Sequence, residues 1–178
     1  MRNPPARTDA TGDLLTLARQ DRSLWDRDWL GRGFHHFDSC AVGPELTAYH
    51  LEAAIAACHA AAADYQSTDW PRILALYDEL LQRKDSPVVH LNRAVAVAKV
   101  RGTDQALTAL DQLVDDPSLR NYYLLPATRG QILWARGDAA RAAASFRRAL
   151  ALGCSEPERQ FLLDRLQQCE SGAPAVDW

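Results

Sequence analysis

Apolar positions along residues 86–102, SPVVHLNRAVAVAKVRG, are not confined to one stripe. Val88, Val89, Leu91, Ala94, Val95, Ala96, Val97, Ala98 and Val100 cover nearly the whole circumference of a helix, the pattern of a segment packed on several sides. Ser86 can cap the free N–H groups of the first turn, Pro87 fits the first helical position, and Gly102 suits the left-handed residue that ends a helix. Only Asn92 and Arg93 break the apolar surface near its start, so they need solvent or partners. The stretch predicts the spine of an all-helical domain, with other helices laid against both its flanks.

The flanking pattern is helical as well. Residues 1–13 hold Pro4, Pro5 and Gly12 among polar residues and read as an extended, flexible lead-in. Residues 14–41 predict one or two helices. The first apolar patch is Leu14, Leu15, Leu17 and Ala18; the second is Trp25, Trp29, Leu30, Phe34 and Phe37 at helical spacing, weakened at Gly31 and Gly33. Residues 45–65 predict a helix with Leu46, Tyr49, Ala53, Ala56 and Ala60 on one side. Thr68-Asp69-Trp70-Pro71 reads as the cap and first turn of a helix to about residue 83, with Ile73, Leu76, Tyr77, Leu80 and Leu81 as its stripe. Beyond Gly102, Thr103 or Asp104 caps a short helix carrying Ala106, Leu107, Leu110 and Leu113. Asp115-Asp116-Pro117 ends that helix and opens another over about 118–136. An alanine-rich helix follows over 139–152, and Ser155 with Glu158 makes a capping-box pattern for a last helix reaching about residue 169. The helical domain is therefore expected over 14–169, with a tail over 170–178 whose Trp178 is either loose or docked.

A repeat lies under the helices. In residues 125–154, Gly130, Leu133, Gly137, Ala142, Phe146 and Ala149 sit where a tetratricopeptide repeat wants its small residues and its aromatic. Residues 86–117 fit more loosely, through Ala94, Val97, Ala106 and Leu110, and residues 45–83 fit least. The fold class expected is all-α, with antiparallel helix hairpins stacked as a tetratricopeptide-like right-handed array. An unrelated bundle of alanine-rich hairpins is the alternative.

Length and composition narrow the function. The 178 residues suffice for one domain with a real core, with 47% hydrophobic and 24% charged residues. A net charge of −3 without a basic stripe argues against direct nucleic-acid binding by this segment. Apolar runs are broken by charges and fall short of a membrane span, and residues 1–13 lack the apolar segment of a signal peptide. Cys40, Cys58, Cys154 and Cys169 are scattered and read as reduced thiols, which suggests a cytoplasmic location.

Catalytic patterns do not emerge. His50 and His59 lie nine residues apart on one expected helix and point to different faces, so they cannot share a metal. His35, His36 and His90 add no ligand spacing, and there is no HExxH, phosphate-cradling glycine loop or serine elbow. No enzyme activity, cofactor or metal is expected. The residues whose polar and aromatic pattern exceeds what packing demands are Asp21, Arg22, Trp25, Asp26, Thr68, Asp69, Trp70, Asn92 and Arg93. Helix capping accounts for Asp21, Thr68 and Asp69, and burial for the tryptophans; a contact surface is the functional reading. Asn92 and Arg93 are first read as partners for a loop end or for an acid such as Asp21 or Asp69, and second as a ligand or peptide contact.

Four blocks stand in order: ARTDATGDLLTLARQDRSLWD (6–26), LEAAIAACHA (51–60), TDWPRILALYDEL (68–80) and SPVVHLNRAVAVAKVRG (86–102). A weaker block, ERQFLLDRL, follows at 158–166. Together they resemble the C-terminal extension of a subgroup of extracytoplasmic-function RNA polymerase sigma factors, which are bacterial. The resemblance implies a helical, tetratricopeptide-like module that regulates transcription initiation through the sigma core regions or RNA polymerase, in cis or in trans. Both promoter-recognising regions are missing from these 178 residues, so sigma activity by this segment alone is not expected. A free-standing adaptor that holds a peptide of another protein is the second reading.

Overall fold

The computed structural model describes residues 7–9, 12, 14–40 and 46–175. Among them a short 3₁₀ turn at Arg22–Leu24 precedes eight α-helices. These are α1 (Arg27–Cys40), α2 (Ala48–Ala61), α3 (Trp70–Arg83), α4 (Pro87–Arg101), α5 (Thr103–Asp111), α6 (Leu124–Ala135), α7 (Ala139–Ala151) and α8 (Glu156–Glu170), with a second 3₁₀ turn at Pro117–Leu119. Each helix packs on the next, and α4 reaches past α5 to touch α6 and the 117–119 turn. The chain is thus all-α, built of antiparallel hairpins stacked in a tetratricopeptide-like array.

Capping side chains fix where the helices begin. The Asp69 carboxylate accepts from Arg72 N at 2.9 Å, Ser86 Oγ from Val89 N at 3.3 Å and Asp138 from Arg141 N at 3.1 Å. Ser155 and Glu158 close a capping box in which the glutamate accepts from Ser155 N at 2.8 Å. Each bond satisfies a donor that a helix start leaves open. The turn between α6 and α7 is closed by Gly137 at φ +92°, while Gly137 N and Asp138 N donate to Trp134 O and Leu133 O, both at 2.9 Å. That is the paired bonding of a left-handed helix stop, and it folds α7 back on α6.

Packing follows from the same sequence. Val89, Leu91, Ala94, Ala96, Val97 and Ala98 of α4 are buried, because neighbours cover it on several sides; all but Leu91 are alanine or valine. Between α6 and α7 the approach is closest at Gly130: a Cβ there would sit 2.9 Å from Cε1 of Phe146, whose ring is itself 1% exposed. At the far end Arg165 is buried, its guanidinium over the rings of Phe161 and Trp134, and Trp134 Nε1 donates to Ala173 O at 3.0 Å. The 171–175 segment is thereby tied to α6. Trp178 and most of the 1–13 lead-in lie outside the described residues, although Thr8 and Leu14 form an isolated antiparallel bridge.

Several boundaries and one face differ from the sequence expectation. Residues 14–20 are turns rather than helix, and helical structure begins only with the 3₁₀ turn at residue 22 and α1 at residue 27. Asp21 and Asp26 bind N–H groups just after themselves, which restarts the chain twice instead of letting one helix run through. The segment expected over 118–136 divides at residues 120–123, leaving α6 to start at Leu124. On α2 the side with Leu46, Tyr49, Ala53 and Ala56 is exposed, whereas Leu51 and Ile55 are buried. The larger apolar pair at i and i+4 decides which side turns inward, and alanines alone do not.

The Gly130–Phe146 approach yields a prediction. Gly130→Ala is expected to destabilise the chain by about 1–2 kcal/mol in urea denaturation, since overpacking outweighs the gain alanine brings in a helix. Adding Phe146→Leu to Gly130→Ala should cost less than the two single changes summed.

Candidate functional site

The loop after α2 is where the singled-out residues gather. At its C-terminus α2 leaves carbonyls without intrahelical donors. Arg22 reaches across from the N-terminal segment, and its Nη1 donates to His59 O and to Ala62 O, each at 2.7 Å. Its Nη2 lies 3.4 Å from the hydroxyl of Thr68, which is 5% exposed and also donates to Asp64 O at 3.4 Å. The guanidinium stacks over Trp25 at 5.0 Å. A cation is favoured at the negative end of a helix, so the clamp combines dipole, hydrogen bonds and ring attraction.

Aromatic and cationic groups close around the other side of this clamp. Trp70, the first residue of α3, meets the His59 ring edge-on at 5.3 Å and the Tyr65 ring at 5.7 Å. Lys99, from α4, places its ammonium 5.0 Å from the Tyr65 ring and 5.8 Å from the Trp70 ring. Burial draws the Lys99 amine down to about 8 and pushes the Tyr65 phenol up to about 12. The His59 imidazole is held below its ordinary value, first by burial and then by the Arg22 charge. Burial also lowers Arg22, with Asp64 acting in the opposite sense. Arg22 Nε and His59 Nδ1 are both buried without a hydrogen-bond partner.

The structure thus brings together Arg22, Trp25, Thr68 and Trp70 of the sequence candidates. Asp21, Asp26 and Asp69 adjoin them as caps of the 3₁₀ turn, α1 and α3. Asn92 and Arg93 lie elsewhere. Arg93 Nε donates to Asp78 Oδ1 at 2.6 Å, joining α4 to α3, rather than pairing with Asp21 or Asp69. The facing helix of the hairpin supplies the acid. Asn92 is exposed, beside a separate cleft that also takes in Glu52, Tyr77 and Lys84. Sequence reasoning missed Tyr65 and Lys99, whose ring contact spans 34 positions and leaves no local signal. It did consider a packed His59, but not its place under Arg22.

A second feature is an open groove of about 1240 Å³ between the N-terminal segment and the α6–α8 side of the array. Leu15, Leu24, Trp25 and Trp29 line one wall, with Leu124 and Phe161 on the other. Leu17, Leu24, Trp29 and Leu124 are exposed, Trp29 by 69%. Glu158 at the groove edge is held below the usual carboxylate range by hydrogen bonds, first from Tyr123 and then from Ser155. Such a wall of aliphatic and aromatic side chains suits another protein's apolar surface more than a small polar substrate. Among the described residues no group of three or more His, Cys, Asp and Glu is placed to hold a metal ion, and no helix is long and apolar enough to cross a membrane.

No family model matches the chain. It is similar to the uncharacterized protein R00370 of Rhizobium meliloti (strain 1021), with 38% identity over 157 residues. The match takes in 88% of this chain and 37% of the relative, so the chain spans little more than a third of the length of that protein.

Removing the clamp should loosen the N-terminal segment while sparing the array. Arg22→Ala is expected to lower the local stability of residues 14–26 by about 1.5–3 kcal/mol in amide hydrogen exchange, with α4 and α7 unaffected. Arg22→Lys should restore only part of the loss, because an ammonium cannot reproduce the planar fork onto two carbonyls.

Proposed function

We propose that the chain is a regulatory protein-interaction domain of an extracytoplasmic-function sigma factor. In this reading it modulates transcription initiation in the cytoplasm through contacts with the sigma core regions or RNA polymerase, in cis or in trans. It does so without binding DNA and without catalysis. The observation that carries the reading is the run of four ordered blocks over residues 6–102, together with the weaker one at 158–166. Two further observations support it. The fold is a stack of helical hairpins, an architecture suited to holding other proteins, and the similar protein from Rhizobium meliloti (strain 1021) is far longer than the matched segment.

Within this reading, the exposed side chains are the better candidates to meet the partner. Arg22, Thr68, Asp21, Asp26 and Asp69 already serve hydrogen bonds within the chain. Exposed apolar side chains on the groove are better contact residues, because their burial against a partner is gain without a competing internal bond. Leu24 and Trp29 lead that set, with Leu124 opposite.

The test is titration calorimetry of the chain against a purified fragment holding the two sigma core regions. Binding is expected, and Leu24→Glu with Trp29→Glu is expected to weaken it at least about tenfold, each hot-spot loss being on the order of 1–2 kcal/mol. Both sites are exposed, so thermal stability should hold within about 0.5 kcal/mol. No binding by the intact chain, whether mixed with the fragment or joined to it, would overturn the reading and favour the free-standing peptide adaptor.

A further inference from the structure

Arg22 and His59 meet in a way that capping alone does not require. His59 contributes its backbone carbonyl to the clamp while its own half-buried ring packs against Trp70, with Nδ1 covered. Among the described residues its Nδ1 has no hydrogen-bond partner, and neither does Arg22 Nε. A neutral imidazole can leave one nitrogen bare at modest cost, but an imidazolium there carries a second N–H with no acceptor and a positive charge beside another. The same residue that holds the segment 14–26 through its backbone carbonyl therefore becomes, through its ring, a repulsive neighbour once it takes a proton.

The nearby anion Asp64 acts on Arg22, whereas His59 itself is lowered by burial and by the Arg22 charge. From the 62–69 loop, Asp64 accepts from Ser67 N at 2.7 Å and Asp69 accepts from Arg72 N at 2.9 Å, so both carboxylates are turned to the backbone. Tyr65 presents a neutral phenol, and Cys58, next to His59 on α2, has its thiol pushed up by burial. From α4 the Lys99 ammonium already lies over Trp70, so an imidazolium at the same ring would compete with a cation in place. Arg72 at the start of α3 adds a further positive charge to this end of the molecule. Of these charges, the one that acts directly on the His59 imidazole is the Arg22 guanidinium, in the same sense as burial.

We propose that residues 14–26 form a strap over the apolar groove, that Arg22 is its latch, and that protonation of His59 releases it. The rest of the strap is lightly held: its stretch 14–20 forms no helix, and no residue of 14–26 is fully buried. Unlatching would remove one wall of the groove and widen access to the facing wall formed by Tyr123, Phe161 and Leu162. The device is independent of the sigma reading, since it concerns only contacts within the chain. The sign is fixed by linkage. A histidine whose folded-state pKa lies below its ordinary value of 6.5 keeps the closed form favoured above that pH. The preference is lost as pH falls, because the open form takes up the proton first.

The experiment is amide hydrogen exchange of the full chain at about pH 7.5 and about pH 5.5, corrected for the intrinsic exchange rate. In the unmodified chain the opening equilibrium of 14–26 is expected to rise by up to about tenfold per pH unit below about 6.5, while α4, α6 and α7 keep their protection. His59→Gln, neutral at both pH values, should abolish that rise and leave the strap closed. An equal acid response in His59→Gln, or no response in the unmodified chain, overturns the proposal. Should His59→Gln fail to fold, the imidazole of the unmodified chain is titrated by NMR. A midpoint below 6.5 is then required, and a midpoint at or above it overturns the proposal just as directly.

Discussion

The constraint on which the molecule depends is the crowding around α4. That helix is met by α3, α5, α6 and the turn at 117–119, and a surface made mostly of alanine and valine lets so many neighbours approach. Ala94 is wholly buried, and Leu91 is all but so. Close packing of this kind tolerates little change in volume, because the interior is already near crystal density. The register of the hairpins on either side is consequently set from the middle of the chain outward. Gly130 against Phe146 repeats the same logic one hairpin further on, where a missing side chain admits an aromatic ring.

From α4 toward the N-terminus, the packing thins. α3 buries Ile73, Leu74, Leu76 and Leu80, α2 buries only Leu51 and Ile55, and no described residue of α1 is fully buried. The N-terminal segment is held by point contacts instead: a bridge between Thr8 and Leu14, a cap at Asp21, and the guanidinium of Arg22 on the end of α2. A gradient from packed core to latched strap separates the part that gives the molecule its shape from the part free to respond. The apolar groove lies along that gradient, with one wall on the strap and the other on the array.

What the sequence disclosed follows the same division. The caps at Asp69, Ser86 and Ser155 are local events between residues a few positions apart, and each was legible as a motif. The small-residue positions Gly130, Gly137, Ala142 and Ala149 pointed to the hairpin they form, because their spacing is the geometry of close helix approach. The buried side of α2 was misread, since an alanine-rich stripe looks like an interface until the larger Leu51 and Ile55 compete with it. The 14–20 turns were misread as helix because Leu14, Leu15 and Leu17 face a groove rather than a packed core, and apolarity alone does not distinguish the two. At the candidate site, Arg22 and Trp70 stood out by residue type, but their meeting through His59, Tyr65 and Lys99 joins elements far apart in the chain. No periodicity encodes such a meeting.

The central claim is that a rigid stack organised on α4 carries an N-terminal strap attached through one latch. Native-state hydrogen exchange in increasing low concentrations of denaturant tests it most directly, because it separates local from global opening residue by residue. The account expects the amides of α4, α6 and α7 to exchange only through global unfolding, and those of 14–26 to exchange through a smaller, denaturant-insensitive opening. A strap that opens only together with α4, or an α4 that opens before its neighbours, would contradict it.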